Sequence, residues 1–140
     1  MIGMMEIRIG AHRVAIEEDV LVAYVDGPWL LPEMVEFLAL CEKTRTRCGS
    51  VYIITVVGPG YSLPPDSRKY IAEWSRRNLL TGNVVAGAPF AMRALIGILS
   101  RASKLVGSHS SEVTFTATEA EARAWVAQRK QQRPGQTAPH

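Results

Sequence analysis

Two runs of this chain leave little choice of fold. Val20–Val25 (Val-Leu-Val-Ala-Tyr-Val) and Val51–Val57 (Val-Tyr-Ile-Ile-Thr-Val-Val) are apolar at nearly every position. A strand with one wet face alternates apolar and polar residues. A strand that is apolar throughout belongs in a parallel sheet covered on both sides. The segment between the two runs reads as an amphipathic helix. Pro32 suits its first turn, and Met34, Phe37, Leu38 and Cys41 follow i, i+3, i+4, i+7 spacing. Lys43, Arg45 and Arg47 crowd its end, where cations complement the helix dipole, and Gly49 stops it. Strand, helix, strand is the parallel crossover unit.

The same alternation runs through the rest. Met5–Ile9 and Arg13–Ile16 flank Gly10-Ala11-His12 as an opening hairpin, and Pro65 opens a second helix with Asp66 in its first turn. Val84–Ala88 is a strand of small residues, Pro89 starts a third helix running to about Val106, and Val113–Phe115 is the last strand. Thr118-Glu119-Ala120-Glu121 is a capping box for a fourth helix, from which Ala122, Trp125 and Val126 face inward. The expected fold class is therefore α/β: a mixed, mostly parallel sheet with an N-terminal β-hairpin and four helices. A chain of 140 residues fits one domain, expected over residues 1–130, with 131–140 a disordered polar tail.

Charge excludes little. The net charge is +3, with eight acids and five bases in residues 1–50 against five acids and eleven bases in 51–140. No basic run exceeds two residues and no aromatics are interleaved, so solvated helix faces are expected and no nucleic acid partner. Cys41 and Cys48 are seven positions apart; along one helix that is about 10 Å, too far for a disulfide. Both read as reduced thiols, which suits a cytoplasmic setting. The opening residues lack a signal-peptide pattern, and Val84–Leu99 is too short and interrupted to span a membrane, so a soluble protein is expected.

Ligands on parallel sheets sit beyond the carboxyl ends of the strands. The loops there carry no paired carboxylates, no metal-ligand spacing and no nucleophile with a base, so no catalytic residues, metal or cofactor are expected. His12, His109 and His140 read as surface histidines. Gly58-Pro59-Gly60-Tyr61-Ser62 follows a strand, but its prolines remove donors a phosphate cradle needs, and it reads as a stiff turn. Trp29, beside Gly27-Pro28, either clamps a ligand or covers the helix start, where Leu30 and Val35 suggest a hydrophobic staple. The third helix carries more apolar residues than one buried stripe requires: Phe90, Met92, Leu95, Ile96 and Leu99 among them. The surplus is either covered by the chain's own loops or offered to a partner protein, a second copy or an apolar, lipid-like ligand.

Several stretches resemble bacterial STAS-like (SpoIIAA-like) domains, a family sometimes grouped with CRAL-TRIO lipid-binding domains. They are Asp19–Gly27, Val51–Val57, Ser62-Leu63-Pro64-Pro65-Asp66-Ser67-Arg68, Ala88–Leu95 and Phe115–Val126 with its Thr-Glu-x-Glu-Ala-x-x-Trp sequence. The resemblance implies a mixed sheet wrapped by helices and a non-enzymatic regulatory or interaction role; self-association to a homodimer is expected from the surplus apolar surface of the third helix. Some members are switched by phosphorylation of a serine where a strand feeds the second helix. Here Ser62 and Ser67 stand at that junction as candidate phosphoacceptors. The Asp-Ser-Ser-Gly type of site is absent, and Val56 stands where an acid is often found.

Overall fold

The computed structural model describes residues 4–78, 80–94 and 113–132. Six strands form one sheet: β1 (Met4–Ile9), β2 (His12–Glu17), β3 (Val20–Val25), β4 (Tyr52–Val57), β5 (Gly82–Ala86) and β6 (Thr114–Thr116). Their spatial order follows the chain, β1-β2-β3-β4-β5-β6. The first three are antiparallel neighbours; β3 to β6 are parallel. Helix α1 (Leu31–Cys48) joins β3 to β4, and α2 (Pro65–Arg77) joins β4 to β5. A third helix, α3, is described over residues 90–94, and α4 (Glu119–Gln132) follows β6.

This order dictates where the helices lie. Right-handed crossovers that always step the same way place their helices on the same face. Accordingly α1 and α2 share one core with that face of the sheet, built on Leu21, Ala23, Val25, Ile53, Phe37, Leu38 and Trp74. The other face is covered by α4, which follows β6 and folds back over β4, β5 and β6. Its Ala122 and Val126 pack on Val22, Tyr52, Ile54 and Val84. Beyond α4, the hairpin half of that second face presents Glu6, Arg8 and Arg13 to solvent. Val20–Val25 and Tyr52–Val57 are apolar at nearly every position because these central strands are covered from both sides.

The helix ends follow their local chemistry. Gly49 takes φ 85° and donates its N–H to Arg45 O, ending α1 as a left-handed glycine cap. Thr118 Oγ1 accepts the Glu121 N–H at 3.1 Å, and Glu121 reaches back to the Ala117 N–H at 2.9 Å, one residue before the box partner expected. Pro32 falls at the second helical position, because α1 begins at Leu31. Leu30 and Val35 are both exposed and form no buried staple; the return arm at this end is polar, with Glu33 Oε1 accepting the Leu30 N–H. Helix α4 runs to Gln132, two residues into the expected tail; 133–140 lie outside the described residues. Cys41 and Cys48 are both unbridged on α1. Burial pushes the Cys41 thiol far up, whereas Cys48 is exposed.

Candidate functional site

The carboxyl ends of the strands offer two places, built differently. At β3 and β4 the loops are zipped together. Pro28 and Ser62 form a parallel bridge, Trp29 N–H donates to Ser62 O at 3.0 Å, and Gly58 N–H donates to Val25 O at 2.9 Å. The space beneath is filled by the chain itself. Trp29, only 3% exposed, lies between the His12 ring (centroids 4.2 Å) and the Phe37 ring (5.2 Å). Of the two roles open to Trp29, the structure places it in the core, covering the helix start.

His12 is not a surface histidine. It is fully buried, and both ring nitrogens are used. Nδ1 accepts the Asp26 N–H at 3.1 Å, so the ring proton sits on Nε2. That proton faces Pro28 O and Glu33 Oε1, each at 3.1 Å. The cluster ties the hairpin turn, the end of β3 and the start of α1 to one another. Gly10 makes it possible: at φ 62° a Cβ there would overlap the Glu33 carboxylate. With both nitrogens engaged and no solvent access, the ring orders the loop rather than moving protons. Sequence reasoning missed Glu33 and His12 because their partners are three backbone groups and each other, 21 residues apart.

The serines separate in the same way. Ser67 is fully buried, and its hydroxyl donates to Trp29 O at 2.7 Å. Phosphate could reach it only after the β3–β4 loops open. Ser62 is exposed, and its carbonyl accepts the Trp29 N–H.

The second place is left unfilled by the described residues. Beyond β5 and β6, between residues 90–94 and α4, lies a groove of about 730 Å³. Gly87 and Ala88 form part of its floor, Phe115 and Trp125 its aromatic wall, and Arg93 and Glu121 part of its rim. Phe90 stands beside it, 75% exposed, with the Arg93 guanidinium 5.8 Å from its ring. Met92 is half-buried. Leu95, Ile96 and Leu99 lie outside the described residues.

Comparison with family models, with curated proteins and with solved structures gave no match.

The groove wall depends on how α4 is held. Arg123 forks onto Glu17 (2.8 and 3.0 Å) and donates Nε–H to Glu119 at 2.9 Å, while Tyr24 donates its hydroxyl to Glu119 at 2.8 Å. Lys130 reaches Asp19 at 2.7 Å, and Ser50 donates to the other oxygen of that carboxylate at 2.6 Å. Burial alone would raise both acids. Lys130 and Ser50 outweigh it at Asp19, and Arg123 and Tyr24 outweigh it at Glu119, so each is held below its ordinary value. A carboxylate whose folded pKa is depressed stabilises the fold above its unfolded pKa and loses that contribution as pH falls through the folded value. The stability difference between the wild type and Asp19→Asn is therefore expected to stay level from neutral pH down to about pH 5 and to shrink below about pH 4. Urea unfolding at a series of pH values measures it; a difference that grows on acidification contradicts the clamp.

Among the described residues, no helix is long and apolar enough to cross a membrane.

Proposed function

We infer that this chain is a non-enzymatic, self-associating protein-interaction module of STAS-like fold, and that it grips a partner with Phe90 and the groove behind it. The observation that carries this reading is the placement of Phe90. A phenylalanine 75% exposed, with its ring 5.8 Å from the guanidinium of the groove-lining Arg93, is apolar surface that the described residues leave uncovered. Aromatics with an arginine at the edge are the composition of interface centres. The loops at the β3–β4 ends are spent on closing their own crevice, which leaves the β5–β6 end for recognition. Two unbridged cysteines agree with a reduced, cytoplasmic setting.

Phe90→Glu should leave folding stability within about 0.5 kcal/mol of wild type, because the side chain is exposed. It should cost the partner complex about 2 kcal/mol, roughly thirtyfold in affinity. Paired affinity capture with wild-type and Phe90→Glu chains, followed by quantitative mass spectrometry, reads this. A protein held by the first and lost from the second supports the reading; equal capture by both overturns it.

The volume of the groove favours a second reading, since ligand pockets span about 300–1,000 Å³. A lipid-like ligand with its apolar part against Phe115 and Trp125 would appear in native mass spectrometry as extra mass that Phe90→Glu or Trp125→Ala removes.

A further inference from the structure

β1 is an edge of the sheet, six residues long, and among the described residues it is paired on one side only. The two-residue turn at Gly10-Ala11 closes on the Ile9–His12 pair, so the backbone groups of Ile9, Ile7 and Met5 point toward β2. Those of Met4, Glu6 and Arg8 therefore point outward. An edge of this length is a template for another strand unless something blocks it. Within β1 there is no proline, and its six pairs with β2 run without a bulge.

Natural edges often repel a second copy with like charges. Here the outward-bonding residues carry opposite signs two positions apart, Glu6 and Arg8, both exposed and on the same face. Arg8 lies directly opposite Arg13 in the hairpin, an unfavourable like-charge pairing, and has no acid partner among the described residues. Arg13 is already committed to Glu6 at 2.8 Å and to the Tyr24 ring at 4.1 Å. On the opposite face Met5 is 61% exposed.

The geometry points to β1 as the self-association surface: two copies pair their β1 strands antiparallel about a two-fold axis at Ile7, making one continuous sheet. Antiparallel pairing must match outward backbone with outward backbone, so the axis has to pass through a residue. An axis at Glu6 sets Glu6 against itself, and an axis at Arg8 sets Arg8 against itself. At Ile7, each Glu6 faces Arg8 of the second copy, Ile7 meets Ile7, and Met5 meets Ile9. That register gives Arg8 its missing anion and covers Met5. It rests on the self-association in the proposed function and leaves Phe90, at the far edge of each sheet, free for a different partner.

Native mass spectrometry of the full chain, with circular dichroism as the check on folding, tests it. The wild type is expected at twice 15.4 kDa. Glu6→Arg and Arg8→Glu should each weaken the dimer at least tenfold, and the double variant with the charges exchanged should return to within about threefold of wild type. In a Cys48→Ser background, Ile7→Cys should oxidise to a disulfide-linked dimer, because residues facing each other at a non-hydrogen-bonded position sit about 4.5 Å apart. A monomeric wild type overturns both self-association and this surface. A dimer indifferent to single reversals, a double variant that stays apart, or an Ile7→Cys chain that does not cross-link overturns β1 alone.

Discussion

Trp29→Ala is expected to destabilise the protein by about 3–5 kcal/mol, the cost of emptying a large aromatic site in a packed core. Trp29 is 3% exposed between the His12 and Phe37 rings, and its carbonyl accepts the only hydrogen bond that the Ser67 hydroxyl is seen to donate. The hole would open where the hairpin turn, the β3 end and the first turns of α1 and α2 converge, and none of these can collapse into it without breaking the zipped loops. A domain of this kind has only about 5–15 kcal/mol in all. Urea unfolding should show a lower midpoint at an unchanged slope. Trp29→Phe, which keeps a ring against both neighbours, should cost less. A loss under about 1 kcal/mol for Trp29→Ala would mean that the indole is not part of the core.

His12→Leu should cost about 2–4 kcal/mol although it conserves volume and apolar contact. The loss is polar: the Asp26 N–H loses its acceptor, and Pro28 O and Glu33 lose their shared donor. Glu33 keeps the Leu30 N–H and some solvent access, with 19% of its side chain exposed, which limits the penalty on the carboxylate. Glu33→Gln retains an oxygen acceptor for both donors and should be nearly neutral. Because the His12 and Trp29 rings touch, the double variant should fall short of the sum of the single losses by about 0.5–3 kcal/mol. Full additivity, or a neutral His12→Leu, would show that the cluster is a passenger of the fold.

These two residues mark how far the sequence was legible. The apolar runs at Val20–Val25 and Val51–Val57, the spacing of Met34, Phe37, Leu38 and Cys41, Gly49 and the Thr118 cap each carry their meaning within a few residues, and the elements formed where that local chemistry placed them. Phe90 was legible as one of several apolar residues on the third helix, but not its 75% exposure. His12 was not. Beside a turn glycine it looks exposed, and only the approach of Asp26, Pro28 and Glu33 from elsewhere in the chain buries it. Nor could Ser62 be told from Ser67: both sit in the same short stretch, yet one faces solvent and the other lies beneath Trp29.

By itself, then, the amino-acid sequence determined the kind and order of the described elements, with β5 set two residues earlier than the expected Val84–Ala88, since propensity, periodicity and capping act over one or two turns. Tertiary structure alone decided that the strands line up in chain order, that α4 closes the second face, and that the β3–β4 crevice is filled while the described residues leave a groove at the β5–β6 end. Those outcomes depend on groups far apart in the chain: Arg123 with Glu17, 106 residues away, and Lys130 with Asp19, 111 away. No local pattern encodes such pairs, because their energy exists only once the sheet has brought them together.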